Sequence, residues 1–181
     1  MKQISLLFLL LVQSSIAQNS LFNQVEAKNI GPTIMSGRVV DLAVNPNNPT
    51  EFYVAYATGG LWYTNNNGTS FSPVMDAAET VNCGSVTVDW NSGTIWVGTG
   101  EVNASRSSYA GVGVLKSSDK GKTWENLGLK DSHHVSRIWV NPSNLNEIVV
   151  ATVGHLYTTN KERGIYKSTD GGKSWKQTLF V

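Results

Sequence analysis

Short runs of alternating apolar and polar residues, separated by Asn, Pro and Gly, fill the chain after its first 30 positions. Alternation with a period of two is typical of half-buried β-strands, and clusters of Gly, Pro and Asn are typical of the turns between them. Each unit of the pattern has a first strand, an Asn-containing turn and a second strand. The predicted first strands lie at 38–44, 85–90 and 136–140, and the predicted second strands at 52–57, 94–98 and 147–153. The chain is therefore predicted to be all-β.

One octapeptide occurs three times, with its glycines 53 and 51 residues apart. The copies are SSDKGKTW at 117–124, STDGGKSW at 168–175 and the weaker TNNNGTSF at 64–71. This period is the size of a supersecondary unit, and each copy falls between the predicted third and fourth strands of its unit. Three four-stranded antiparallel units of this kind predict β-propeller blades. Because closed propellers have about four to eight blades, the sequence predicts an incomplete propeller.

The octapeptide has the composition of a tight reversal. Asp119 and Asp170 are expected to accept hydrogen bonds from backbone N–H groups two residues on, and Gly121 and Gly172 to supply a positive φ. The tryptophans are expected to pack over the hairpin. In the first copy Asn66, Gly68 and Phe71 stand where the others have Asp, Gly and Trp. The residues assigned to these structural positions are Asn66, Gly68, Phe71, Asp119, Gly121, Trp124, Asp170, Gly172 and Trp175. A calcium loop is excluded because its alternating acidic ligands and closing Glu are missing.

These octapeptides resemble the Asp-box (BNR repeat) of Asp-box β-propellers, and Asp119 and Asp170 match its pattern fully. Residues 31–181 resemble best the exported, sortilin-like and glycosyl-hydrolase-like propellers of bacteria, through the strings at 31–38 and 98–103. The resemblance implies the propeller fold and leaves activity open, because enzymes and receptors share the box. Because three blades do not close a ring, we expect the chain to be the N-terminal part of a longer protein with further blades in cis, or to close its ring with a partner chain.

The N-terminal segment reads as an export signal. One Lys precedes an apolar run, and small residues precede Ala17, so we expect a signal peptide at 1–17 with cleavage after Ala17. The run is too short to span a bilayer, so no membrane insertion is expected. A lead-in at 18–30 and a propeller segment at 31–181 follow, with blades at about 31–74, 81–129 and 133–181. The predicted location is secreted or periplasmic.

The charge balance excludes one class of partner. There are 14 Lys and Arg against 13 Asp and Glu, so no basic surplus exists to attract a nucleic-acid backbone. Cys83 is the only cysteine, which excludes an internal disulfide, and it reads as a small buried hydrophobe at the start of a strand. No cofactor and no metal are expected. His133 and His134 are adjacent rather than at metal-ligand spacing, so we expect a loop pair with satisfied hydrogen bonds.

The candidate binding residues share one end of the blades. In a four-stranded meander, the loops between second and third strands and those between blades lie opposite the octapeptide turns; we call this end the rim. Rim loops are long in the second and third units, at 101–111 and 155–163. Long loops on a rigid scaffold are common places for binding residues. The candidates are Arg38, Glu101, Arg106, Tyr109, His133, His134, Arg137, His155, Glu162 and Arg163.

Several candidates have structural alternatives. Arg38 and Arg137 begin innermost strands and either grip an anionic group or bind carbonyls or Asp41. Glu101 is the one candidate catalytic carboxylate, with the alternative of binding amides of its own loop. Four tryptophans, Trp62, Trp90, Trp96 and Trp139, are candidates for stacking on sugars or for packing between sheets.

Two functions follow from these residues. The first is a binding or interaction module for a protein, peptide or glycan at the rim. The alternative is part of a secreted glycoside hydrolase, which needs a pair of carboxylates across the scissile bond. Glu101 alone does not supply the pair, and the family's first-blade Asp is missing from 57–62. The sequence therefore favours a binding module over an enzyme.

Overall fold

The computed structural model describes residues 37–103 and 108–181. Within these ranges twelve strands form three four-stranded antiparallel sheets, and the only helical element is a 3-10 turn at Lys130–Ser132. The first sheet has β1 (Val39–Val44), β2 (Phe52–Tyr56), β3 (Gly60–Thr64) and β4 (Ser72–Pro73). The second has β5 (Cys83–Asp89), β6 (Thr94–Thr99), β7 (Val114–Ser117) and β8 (Glu125–Asn126). The third has β9 (Val135–Val140), β10 (Ile148–Thr152), β11 (Gly164–Ser168) and β12 (Lys176–Phe180).

Each sheet is an up-and-down meander whose strands pair in chain order. The first strands of the three sheets, β1, β5 and β9, lie next to one another, as the innermost strands of adjacent blades do. The all-β architecture of three four-stranded propeller blades is thus confirmed. In the described ranges no helix has the length and hydropathy needed to cross a bilayer.

The hydrophobic core consists of two layers, one between each pair of neighbouring blades. Strand β6 of the middle blade is buried at every position. Its alternate residues Ile95 and Val97 belong to the layer shared with the first blade, whereas Trp96 belongs to the layer shared with the third. A strand covered on both faces needs apolar residues at successive positions, which explains the run Ile95-Trp96-Val97.

The three octapeptide turns, called box turns below, are built around Asn66, Asp119 and Asp170. In the second blade, Asp119 Oδ1 accepts from the Thr123 N–H at 2.9 Å and Oδ2 accepts from the Thr123 hydroxyl at 2.6 Å. The Ser117 hydroxyl donates to Asp119 Oδ1 at 2.8 Å and accepts from the Gly121 N–H at 2.8 Å. The expectation of an acceptor for the N–H two residues on was wrong, because the loop wraps round the carboxylate and presents the N–H four residues on. These hydrogen bonds, led by the Thr123 hydroxyl, lower the pKa of Asp119 to about 2.

The third blade repeats this turn, and the first blade keeps its shape with a neutral side chain. Asp170 accepts from the Ser174 N–H at 3.0 Å and hydroxyl at 2.6 Å, which lowers its pKa in the same way. Asn66 Oδ1 accepts from the Ser70 N–H at 3.0 Å, but its amide then donates to the Ser70 hydroxyl at 2.8 Å. The turn is therefore conserved in geometry while one hydrogen bond reverses direction.

The box tryptophans hold neighbouring blades together. Trp124 Nε1 donates to the Val74 carbonyl of the first blade at 3.1 Å, and Trp175 Nε1 donates to the Leu127 carbonyl of the second at 2.7 Å. The expectation that they pack over their own hairpins misses this contact, whose acceptor is about 50 residues away. Phe71 has no N–H to donate and instead packs edge-on against Phe52 of its own blade, with ring centroids 6.1 Å apart.

The box glycines are required by the same contact between blades. Gly121 has φ 88°, and a Cβ there would lie 2.5 Å from the Val74 carbonyl oxygen. Gly172 has φ 93°, and a Cβ there would lie 2.7 Å from Leu127 Cδ1. Both positions thus need the left-handed conformation and the missing side chain.

Cys83 opens β5 as a completely buried free thiol, as the sequence predicted. Its sulfur lies 3.5 Å from the Met75 sulfur in the first core layer. Burial raises the pKa of this thiol to about 12, so the group is protonated and serves packing.

Candidate functional site

The base of the rim is a tightly packed backbone junction between the second and third blades. Gly100 follows β6 with φ 84°, and a Cβ there would lie 1.9 Å from the His133 carbonyl oxygen. The same carbonyl accepts from the Gly111 N–H at 2.6 Å, and the Thr99 hydroxyl donates to the Gly113 carbonyl at 2.6 Å. The residue that follows this junction, Glu101, is therefore held in a fixed position.

Glu101 is fully buried and pairs with Arg38 from the first blade. Arg38 Nε donates to Glu101 Oε1 at 2.6 Å, and a terminal nitrogen of the guanidinium contacts the same oxygen. Among the described residues Glu101 Oε2 has no hydrogen-bond partner. A buried carboxylate is costly unless a cation compensates it, so this pair fixes Arg38 in place. The Arg38 side chain remains 48% exposed and presents an anchored guanidinium to solvent.

Three histidines lie beside this pair. The imidazoles of His133 and His155 stack with centroids 3.8 Å apart and planes 18° apart. His134 is buried, and its ring centroid is 6.3 Å from that of His133. Burial lowers the pKa of His134 and the two neighbouring imidazoles lower it further, against the opposing effect of a hydrogen bond with the Glu101 backbone.

The histidines do not match the expected satisfied loop pair. In the part of the chain that is described, the buried Nδ1 of His134 finds no hydrogen-bond partner. Nor do three His, Cys, Asp or Glu side chains converge there as metal ligands would. The stack of His133 on His155 joins two loops that are adjacent only in the folded chain. No local sequence signal indicates it, beyond the assignment of both loops to the rim.

The rim of the third blade carries a second group of candidates. Arg163 Nε donates to the Val153 carbonyl at 2.9 Å, which fixes its side chain at the edge of a cavity of about 370 Å³. Tyr157 and Phe180 also line this cavity and are 78% and 60% exposed. Neither of these aromatic residues is among the sequence-predicted candidates. In the second blade Tyr109 is 57% exposed.

Two further candidates, Arg137 and Glu162, have partners of their own. Arg137 lies on β9 and pairs with Asp41 of β1 at 3.1 Å, and Asp41 Oδ2 also accepts from the Val86 N–H of β5 at 3.1 Å. This arrangement ties the three innermost strands together, which is the structural alternative considered for Arg137. The Glu162 carboxylate accepts from the Lys161 N–H in its own loop at 3.0 Å. Arg106 lies outside the described residues, as do the predicted signal peptide, the lead-in and residues 31–36.

The four candidate tryptophans separate by exposure. Trp62 and Trp96 are 6% and 1% exposed, so their faces are not available to a ligand. Trp139 is 52% exposed on β9, and Trp90 is partly buried just beyond the end of β5. The alternative of packing between sheets therefore holds for Trp96, which lies in the second core layer.

No family model matches the chain. The chain is 38% identical to "Vacuolar protein sorting/targeting protein 10" of Kluyveromyces lactis over 72 residues. These residues are 39% of this chain and 4% of that protein. Among solved structures, an ancestral GH74 enzyme matches 86% of this chain with a TM-score of 0.62 and 23% identity. YCF48 from Cyanidioschyzon merolae matches 82% of this chain with a TM-score of 0.52 and 18% identity. YCF48 bound to D1 peptide matches 84% of this chain with a TM-score of 0.53 and 16% identity.

These matches extend over part of each relative. The chain spans 20% of the GH74 enzyme and 39% and 45% of the two YCF48 chains. At these identities the structural matches show the propeller fold alone.

Proposed function

We propose that the chain is a propeller-type interaction module whose rim binds a peptide segment with acidic side chains. The observation that carries this proposal is the anchored guanidinium of Arg38, which is half exposed while its partner Glu101 is fully enclosed. A cation held in this way loses less side-chain freedom when it binds a carboxylate. That YCF48, a neighbour in fold, is described as bound to a peptide supports the choice of ligand class.

The third-blade part of the rim suits the same ligand. Arg163 supplies a second guanidinium, and the exposed rings of Tyr157 and Phe180 supply apolar contact beside the cavity. Aromatic residues and Arg are the side chains that most often dominate binding energy at protein interfaces. We therefore place acidic side chains of the peptide on Arg38 and Arg163 and an apolar side chain in the cavity.

A glycoside hydrolase is the alternative function, and the enclosed position of Glu101 disfavours it. Glu101 has no solvent-exposed surface, and one of its oxygens is paired with Arg38. A general acid or nucleophile must approach the glycosidic oxygen or the anomeric carbon of the sugar, and this carboxylate is enclosed. The fold likeness to a GH74 enzyme does not offset this, because it extends over 20% of that chain.

We also propose that the module acts outside the cytoplasm. The proposal rests on the export-signal pattern of residues 1–17, which lie outside the described residues. N-terminal sequencing of the processed protein should begin at Gln18. A mature protein that retains Met1 would refute export by this signal.

The peptide proposal is tested with fluorescein-labelled decapeptides of alternating Asp and Phe, and matched peptides with Asn in place of Asp. The Arg163→Gln and Tyr157→Ala variants each remove one rim contact and leave the buried Glu101 pair intact. We expect each to weaken binding of the Asp peptide about tenfold, which corresponds to about 1.4 kcal/mol. Added salt should weaken it further, since exposed charge pairs are screened.

Lys173→Gln is the matched control, because Lys173 is an exposed cation in the box turn at the opposite end. Its affinity for the Asp peptide should equal that of the parent. Equal affinity for Asp and Asn peptides, or an equal loss in Lys173→Gln and Arg163→Gln, would overturn the assignment of the ligand to the rim.

A further inference from the structure

A second cleft lies between the first and second blades, at the box-turn end and away from the rim. Its cavity is about 360 Å³, within the range of about 300–1,000 Å³ that is usual for small-ligand pockets. We call it the aromatic cleft and define it by six of its lining residues: Asn45, Glu51, Tyr53, Tyr63, Trp90 and Lys120. None of these residues takes part in the proposed rim site.

Three rings form a continuous wall in the aromatic cleft. The centroids of Tyr53 and Tyr63 are 4.9 Å apart with planes tilted by 43°, and those of Tyr53 and Trp90 are 5.6 Å apart with a tilt of 39°. Tyr53 is 4% exposed, so the surface offered to a ligand comes mainly from Tyr63 and Trp90. These partly exposed rings offer apolar contact to a ligand that packs against them.

The polar groups of the cleft are fixed and electrically balanced. Glu51 accepts from the Tyr63 hydroxyl at 2.5 Å through one oxygen and from the Asn45 amide at 2.7 Å through the other. These bonds lower the pKa of Glu51, and the positive charge of Lys120 lowers it further, so the carboxylate is ionised. Each carboxylate oxygen retains further acceptor capacity. Glu51 disfavours an anionic ligand, and Lys120 disfavours a cationic one.

The other units show that the fold does not require aromatic residues at the positions of Tyr63 and Trp90. Strand register places Lys116 and Lys167 at the position of Tyr63. It likewise places Pro46 and Pro142 at the position of Trp90, because they follow the equivalent residues Val44 and Val140 by two positions, as Trp90 follows Val88. The neighbouring cleft, between the second and third blades, is lined with Lys116, Asp170 and Lys173 rather than with rings. Rings that the blade fold does not require, at Tyr63 and Trp90, point to a ligand.

We propose that the aromatic cleft binds a neutral carbohydrate. A pyranose ring has an apolar C–H face that stacks on the Trp90 and Tyr63 rings. Its hydroxyl groups donate to Glu51 and accept from Lys120 and Asn45. The absence of net charge in the cleft selects an uncharged sugar over an organic ammonium ion, for which a face of aromatic rings is the other well-known partner.

The experiment is calorimetric titration of the protein with cellotetraose, xylotetraose and maltotetraose, and separately with choline. We expect saturable binding of at least one tetrasaccharide and weaker or no binding of choline. Trp90→Leu keeps an apolar side chain but removes the ring, and should weaken saccharide binding at least about tenfold. Trp90→Phe should restore most of the affinity.

Two further variants separate binding from folding. Glu51→Gln preserves the shape of the carboxylate and should weaken binding several-fold even if Trp90→Leu fails to fold. Glu125→Gln removes an exposed carboxylate of β8, outside the cleft, and should leave the affinity unchanged. The proposal is overturned if no tetrasaccharide binds, if choline binds more tightly than all three, or if Glu51→Gln binds as the parent does.

Discussion

Replacement of Trp175 by Phe tests whether the box tryptophans hold the blades together. Trp175 Nε1 donates to the Leu127 carbonyl of the preceding blade at 2.7 Å, and its ring packs against the second core layer. Phe keeps a ring at this position and removes the donor. The first blade already has Phe71 at the equivalent place, so the box turn itself tolerates the change.

The expected cost follows from that one hydrogen bond. A bond of this kind contributes about 0.5–1.5 kcal/mol net, and a partly buried carbonyl left without its donor adds to the loss. We expect Trp175→Phe to lower the free energy of unfolding by about 1–2 kcal/mol. Trp124→Phe should cost less, because the bond from Trp124 to the Val74 carbonyl is longer, at 3.1 Å.

Urea unfolding followed by far-UV circular dichroism measures both variants. With a slope of about 2 kcal/mol per M urea, the midpoint for Trp175→Phe should fall by about 0.5–1 M. Trp139→Phe is the matched control, since Trp139 is 52% exposed, and its free energy should stay within about 0.5 kcal/mol of the parent. Equal shifts of the midpoint in Trp175→Phe and Trp139→Phe would refute the role of Trp175 in holding the blades together.

Three further results are expected. Gly121→Ala should lower the free energy of unfolding in urea more than Gly68→Ala does. The positive φ costs about 1–2 kcal/mol at either position. At Gly121 a Cβ would also lie 2.5 Å from the Val74 oxygen, whereas at Gly68 its nearest neighbour is an aromatic ring at 3.4 Å. The lowered pKa of Asp119 gives stability that is complete above pH 4 and is lost as the pH falls towards 2, so Asp119→Asn should flatten this part of the stability curve. Burial of neutral His134 gives stability that is complete above about pH 6.5 and falls as the pH drops towards its lowered pKa, so thermal melts of His134→Gln should show a smaller loss on acidification from pH 7. Equal costs at the two glycines, or unchanged pH curves in the other two variants, would contradict these expectations.

The strands and turns were predictable because their causes are local. Alternation identified β1, β5 and β9 to within two residues at each end, and the octapeptide identified the reversals between third and fourth strands. The positive φ of Gly121 and Gly172 also followed from residue type. A turn closes through residues that are four positions apart, so its chemistry can be read from one segment.

The contacts between blades were not predictable in this way. The acceptors of Trp124 and Trp175 are backbone carbonyls in another blade, and no residue type marks a carbonyl as an acceptor. Arg38 and Glu101 were both assigned to the rim, but their pairing joins residues 63 positions apart. The stack of His133 on His155 joins two loops that are separate in the sequence, and His133 itself has a positive φ of 54°.

Comparison of the three units separates residues that build the fold from residues available for binding. In the first and third blades the turn after the first strand closes with the same bond, from Asn45 to Glu51 at 2.7 Å and from Asn141 to Glu147 at 2.8 Å. The other oxygen of the carboxylate takes a tyrosine hydroxyl in the first blade and a lysine in the third. One scaffold thus supports either side chain at this third-strand position. Folding does not dictate the choice of Tyr63, and a ligand in the aromatic cleft explains it.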